Sequence, residues 1–186
     1  MTSRPSVGAD VRLRLFLALR LPEGVLDVIE RWQLEQLRDV RAVTRDNLHV
    51  TLAFLGHRPA GELDAIVGEL RAAAAQAGPS SMRLAPTRYR ETRSVAMLVH
   101  EDVGGGATAL AADLHARLAR LGVYRPEERP WLPHVTVARF RERPRLELEP
   151  PALGTYVPSD AAAFLSRLRP GGAQYEVVEA VALGGR

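Results

Sequence analysis

Between Val11 and Arg20 apolar residues recur at every second position, Val11, Leu13, Leu15, Leu17 and Leu19, which predicts a strand with one face on a core. The spacing then changes. Val25, Val28, Ile29 and Trp32 fall at i, i+3, i+4 and i+7, the stripe of a helix, with Pro22 where a first-turn proline is tolerated. Trp32 belongs to that buried stripe rather than to a stacking surface. "NLHVTLAFLG", Asn47 to Gly56, returns to alternation and reads as a buried strand. Leu63, Ile66, Val67 and Leu70 restore the helical period until Gly78-Pro79 stops it. Strands are predicted around Ser81 to Tyr89 and Ser94 to His100. A third helix follows Gly104 to Gly106, with Leu110, Leu114, Leu118 and Leu121 on or near one side. "PHVTVARF", Pro133 to Phe140, is the next strand; a proline-rich loop spans Pro144 to Pro158. "DAAAFLSRL" and "QYEVVEAVAL" close the chain as two strands joined by a turn at "RPGG".

The predicted order is strand, helix, strand, helix, strand, strand, helix, strand, strand, strand. Two of the strands carry the same His-Val-Thr run, and they lie close to half a chain length apart. This predicts an internally duplicated α+β protein with one such strand in each lobe. The reading takes residues 1–186 as a single bilobal domain, with residues 1–10 as a loose leader.

Within a strand side chains alternate faces, so His49 and Thr51 share one face while Val50 and Leu52 take the other. His134 and Thr136 repeat this against Val135 and Val137. Side by side about a pseudo-twofold axis, the two strands would supply two imidazoles and two hydroxyls to one cleft. That inventory suits a phosphoester. One imidazole takes a proton from water, the other returns one to the leaving oxygen, and the hydroxyls hold the non-bridging oxygens. Histidine serves either role near neutrality, because its unperturbed pKa is about 6.5.

Composition narrows the chemistry further. All 25 basic residues are arginine, since lysine is absent from the 186 residues, and cysteine is absent too. Schiff bases, lysyl-nucleotide intermediates of ATP-dependent ligases and P-loop lysines are thereby excluded, as are thiol nucleophiles, disulfides and cysteine-based metal sites. An arginine surface matches phosphate, although the same composition follows from GC-rich codon usage. Gly104 to Gly106 lacks the spacing of a dinucleotide loop. Neither His-Val-Thr run has a neighbouring carboxylate, and "HEDVG" at His100 lacks the second histidine of a zinc helix, so no metal site is expected. His57, expected in a turn after Gly56, and His100 and His115 are read as solvated or structural. Arg88, Arg90 and Arg93 are read as a solvated charged edge. No apolar run approaches a membrane span or a signal-peptide core, and a cytoplasmic monomer is expected.

"NLHVTLAFLG" and "RPWLPHVTVARF" resemble the two H-x-T-x signatures of the 2H phosphoesterase superfamily, and within it the RNA 2′,3′-cyclic phosphodiesterases, also called 2′-5′ RNA ligase-like proteins. "RLFLALRLPE" is similar to that family's opening strand and "SRLRPGGAQYEVV" to its closing hairpin, so the resemblance spans nearly the whole chain. Ala42 departs from it, standing where the family carries an aromatic residue. The resemblance implies two lobes of antiparallel sheet with outer helices around a central cleft, and hydrolysis of RNA or nucleotide 2′,3′-cyclic phosphate ends to 2′-phosphates without metal or cofactor. It implies His49 as proton donor to the ribose 3′-oxygen, His134 as proton acceptor from water, and Thr51, Thr136 and Arg139 as phosphate ligands. By strict alternation Arg139 faces away from His134, and it reaches the cleft only if the strand ends or bulges near Ala138. Two alternatives stay open: ATP-independent 2′-5′ RNA ligation through the same cleft, and a module that binds a nucleotide or RNA end without turnover.

Overall fold

The computed structural model describes residues 11–170 and 172–184, so the expected leader lies outside the described residues, as does Gly171 of the "RPGG" turn. The elements follow the predicted order with one addition. They are β1 (Arg12–Arg20), α1 (Glu23–Gln36), β2 (Arg41–Ala42), β3 (His49–Pro59), α2 (Leu63–Gln76), β4 (Leu84–Glu91), β5 (Val95–Asp102), α3 (Gly106–Arg120), β6 (His134–Arg139), β7 (Asp160–Arg169) and β8 (Gly172–Val181). The addition is β2, two exposed residues with no apolar pattern to announce them.

All eight strands join one antiparallel sheet in the order β4-β5-β6-β3-β1-β7-β8, with β2 on β6. The centre of this order falls between β6 and β3, and on either side the neighbours correspond: β5 with β1, β4 with β7. This is the expected α+β duplication. The lobes differ at the outer edge, where β8 extends the β1 side with no counterpart beyond β4 among the described residues.

One face of the sheet is covered by the three helices. Leu15, Leu17 and Leu19 of β1 pack there with Ile29 and Trp32 of α1, Ile66 and Leu70 of α2, and Leu110, Leu114 and Leu118 of α3. Trp32 is therefore core, as its period predicted. Leu121 lies past the end of α3 and is 38% exposed. Val11, at the strand's start, is also exposed. On the opposite face a smaller cluster forms from Phe16 and Ala18 of β1 with Ala162 and Phe164 of β7, and Tyr175 packs against it. The chemically interesting side chains lie on that second face.

The proline-rich loop is not loosely attached. The buried Glu91 carboxylate accepts from the Tyr89 hydroxyl, Arg143 Nε and the backbone N–H groups of Arg145 and Leu146, and the Trp32 indole donates to the Glu149 carbonyl. Burial raises the Glu91 pKa, but those four donors outweigh it and hold the carboxyl below its ordinary value.

Candidate active site

β3 and β6 touch through a single cross-strand pair, Val50 with Val135. The consequences of this register are large. In an antiparallel pair it sets His49 opposite Thr136 and Thr51 opposite His134, so the four polar side chains form a compact square on the face away from the helices. Val50 and Val135 point into the core and are fully buried, and they anchor the square from beneath.

Each imidazole is held the same way. His49 Nδ1 lies 2.8 Å from the Asn47 carbonyl and His134 Nδ1 2.8 Å from the Leu132 carbonyl. A carbonyl only accepts, so Nδ1 carries the hydrogen in both rings and Nε2 is the reactive nitrogen. His49 Nε2 accepts from the Thr51 hydroxyl at 3.1 Å. Segments outside the strands fix these positions. The Asn47 side chain donates to the Ala173 carbonyl of β8 at 2.9 Å, and the Trp131 indole donates to the Thr51 carbonyl at 2.9 Å.

The environments of the two rings differ. The His49 ring is half-buried in an aromatic nest, 4.8 Å from the Phe16 centroid and 5.4 Å from Tyr175, which meets it edge-on. Burial, with electrostatic repulsion from nearby His134 and Arg139, outweighs the Asn47 hydrogen bond and pushes its pKa down to about 4.

Arg139 does line the cleft, for the reason strict alternation overlooks. The register between β5 and β6 shifts at Ala96/Met97, which pair with Ala138 and Thr136 and leave Val137 as a bulge. Val137 and Ala138 both face the core, fully buried, and Arg139 returns to the cleft face. Gln33 of α1, buried, clamps the bulge by donating to the Val137 carbonyl at 2.8 Å and to the Val43 carbonyl at 3.0 Å.

β3 contains the same device. Its register with β1 slips past Leu52, so Leu52 and Ala53 are both buried and Phe54 emerges into the cleft, 50% exposed, with the Arg14 guanidinium 4.7 Å above its ring. Phe54 thus stands to His49 as Arg139 stands to His134. Sequence reasoning passed over it, although "HVTLAF" and "HVTVAR" carry the signal: two apolar residues in a row, then an odd one, at identical spacing.

The cleft has a volume of about 760 Å³ and extends over the β1 lobe, with Arg41, Ala42, Arg169 and Tyr175 in its walls. Of the square, His49, Thr51 and Thr136 line it; His134 does not, and the other three histidines stay outside it as well. His57 is exposed and lies within β3 rather than in a turn, because Gly56, at φ 67°, is absorbed as an irregularity of the strand. His115 Nε2 lies 2.7 Å from the Leu52 carbonyl. His100 is buried under the sheet against Tyr156, and burial pushes its pKa down to about 4. Among the described residues no group of three or more His, Cys, Asp or Glu is placed to hold a metal ion. No helix among them is long and apolar enough to cross a membrane.

The sequence profile of the 2′-5′ RNA ligase superfamily matches residues 21–170, which include both His-Val-Thr strands. The chain belongs to that superfamily. Among its superfamily relatives, the RNA 2′,3′-cyclic phosphodiesterase of Thermus thermophilus is 31% identical over 182 residues, covering 93% of this chain and 91% of that protein. The Escherichia coli K12 protein of the same name is 28% identical over 176 residues, 91% and 96% of the two chains. In structure, a Thermus thermophilus protein superposes with a TM-score of 0.80 at 29% identity, covering 93% of this chain and 99% of its own. Escherichia coli LigT complexed with NADP+ gives 0.76 at 26%, covering 94% and 99%. The 2H phosphoesterase resemblance read from the two motifs is thus borne out for family and fold.

Proposed function

We propose that this protein hydrolyses 2′,3′-cyclic phosphate ends of RNA or nucleotides to 2′-phosphates by acid–base catalysis from His49 and His134. The observation that carries the reading is the Val50–Val135 register, which sets both motifs side by side, with each ring held through Nδ1 so that Nε2 faces the neighbouring hydroxyls and the substrate. Neither lobe holds the full set, so the two act as one bilobal catalytic unit. The names of the superfamily relatives support the reaction. LigT's complex with NADP+ supports the ligand class, since NADP+ carries an adenosine 2′-phosphate, the group this reaction leaves behind.

In the proposed step His134 Nε2 takes a proton from water as its oxygen attacks phosphorus. The bond to the ribose 3′-oxygen breaks, and His49 Nε2 delivers a proton to that oxygen. Thr51, Thr136 and Arg139 hold the phosphate oxygens. His49 must be protonated to act, yet burial holds it neutral at pH 7. The bound phosphate supplies the remedy, because an anion beside the ring raises its pKa and recruits the proton where it is used. Running the same step with an RNA 5′-hydroxyl in place of water would make a 2′-5′ linkage, against competition from water at roughly 55 M.

The test follows a short RNA ending in a 2′,3′-cyclic phosphate by phosphorus NMR in the presence of chelator. Wild type converts it to the 2′-phosphate, and His49→Ala and His134→Ala each slow the reaction by at least about 10²-fold. Binding without conversion would make the protein a recognition module, and dependence on added metal would remove the two-histidine mechanism.

A further inference from the structure

The cleft is lopsided about its centre, and the excess on one side is positive charge. Opening a cyclic phosphate is a displacement in which water and leaving oxygen lie roughly in line across phosphorus. With His134 at the water and His49 at the leaving 3′-oxygen, the terminal nucleoside and all RNA 5′ of it lie on the His49 side. Arg139 stands at that end of the floor, past Thr136, and Arg41 is its cross-strand partner in β2. The Arg41 guanidinium reaches the backbone at Gly172, which pairs with Arg169 across the β7–β8 hairpin.

These three arginines line the cleft, and among the described residues none of them has a carboxylate within 4.0 Å. Arg14, which also lines the cleft without a carboxylate among the described residues, is occupied by the Ser166 hydroxyl and the Phe54 ring. Two acids share the cleft wall: Glu176 is engaged by Arg167 at 3.3 Å, and Asp46 forms no ion pair among the described residues. Guanidiniums that line one cleft repel one another unless an anion sits between them. The reacting phosphate accounts for Arg139, and Arg41 and Arg169 remain.

We infer that Arg41 and Arg169 form a subsite for the phosphodiester joining the terminal nucleotide to its 5′ neighbour, so that the preferred substrate is an oligonucleotide end rather than a free cyclic mononucleotide. The inference rests on the placement of donor and acceptor under Proposed function. Guanidiniums on a backbone phosphate read charge and shape without reading the base, so the subsite is indifferent to sequence. A nucleoside cyclic phosphate with no 5′-phosphate leaves both arginines unused.

The experiment compares binding of adenosine 2′-phosphate with that of the dinucleotide ApA carrying the same 2′-phosphate end, by calorimetry at low salt, where no turnover is needed. In wild type the dinucleotide binds about tenfold more tightly. The Arg41→Gln/Arg169→Gln variant loses that advantage while its affinity for adenosine 2′-phosphate stays within about twofold, and its salt dependence for the dinucleotide weakens by about 0.7 in log–log slope. Both side chains are exposed, so the variant keeps its core, which a thermal melt verifies. Equal affinity for the two ligands in wild type overturns the subsite, as does an advantage that survives the double substitution or an equal loss for both ligands. Hydrolysis of adenosine 2′,3′-cyclic phosphate, measured alongside, separates the two readings: its absence defeats the proposed reaction, whereas intact hydrolysis without a dinucleotide advantage defeats only the subsite.

Discussion

β3 and β6 are two versions of one part. Each carries His-Val-Thr, each clamps its imidazole Nδ1 on the carbonyl two residues upstream, and each bulges three positions after the histidine so that the fifth position regains the cleft. They differ in what surrounds that part. β3 ends the run with Phe54 and lays His49 in a nest of Phe16 and Tyr175; β6 ends it with Arg139. The extra strand β8 supplies Tyr175 and the hairpin wall to the β1 lobe alone. A duplicated scaffold holds two imidazoles in the same way, and neighbours added unequally give them different surroundings.

The comparison breaks if the fifth positions are interchangeable. Arg139→Phe should lower kcat/KM roughly 30-fold, as for loss of a charge-assisted hydrogen bond of about 2 kcal/mol, and adding Phe54→Arg should not restore it, because Phe54 lies at the other end of the floor. Steady-state kinetics on a cyclic dinucleotide end decide this, and recovery in the double variant would show that the lobes are functionally equivalent.

Stability against pH sharpens it next. His49 and His100 both have folded pKa values near 4, below the unfolded value of about 6.5, so both stay neutral in the fold and the unfolded chain takes up their protons first. Their contribution is complete above pH 6.5 and is lost as pH falls from 6.5 towards 4, about 2 kcal/mol each at pH 5. Urea unfolding at pH 7.5 and pH 5 measures the loss, which replacing either histidine should halve; equal stability at the two pH values would contradict the buried, neutral state.

The same depressed pKa predicts that wild type takes up protons when it binds a 2′-phosphate nucleotide near pH 7, and that His49→Gln does not. Calorimetry in buffers of different ionisation enthalpy reads this directly, and identical proton linkage in both proteins would remove His49 as the group that gains the proton. The smallest effect concerns Gln33. Gln33→Leu withdraws the clamp from the Val137 bulge, and it should cost about 1 kcal/mol of stability and raise KM severalfold with kcat nearly unchanged. A fall in kcat with KM intact would place Gln33 outside the aiming of Arg139.

The element order and the shared faces of His49 with Thr51 and His134 with Thr136 were legible in the sequence, because periods of 2 and 3.6 are local properties. Three features were not. The bulges at Leu52 and Val137 come from a mismatch with β1 and β5, which the doubled apolar positions of "HVTLAF" and "HVTVAR" mark only once strict alternation is given up. Phe54 was hidden by the same assumption of strict alternation that left Arg139 conditional. The hairpin wall with Tyr175 and Arg169 lies more than a hundred residues along the chain from His49, and only the assembled sheet puts Tyr175 beside that ring. Gly56 misled in the opposite direction: it reads as a turn, and β3 runs straight through it.

The central claim is that β3 supplies the proton donor and β6 the acceptor. The pH dependence of kcat/KM for the residual activity of His49→Ala and His134→Ala tests it most directly, since this parameter reports the protonation of the free enzyme's acid and base. Without the donor, His49→Ala should gain activity as pH rises and then stay level, its alkaline decline gone. Without the acceptor, His134→Ala should lose activity with rising pH, its acidic limb gone. The exchange of those two profiles would reverse the roles of the strands, and bell-shaped profiles in both variants would mean that neither histidine carries the proton.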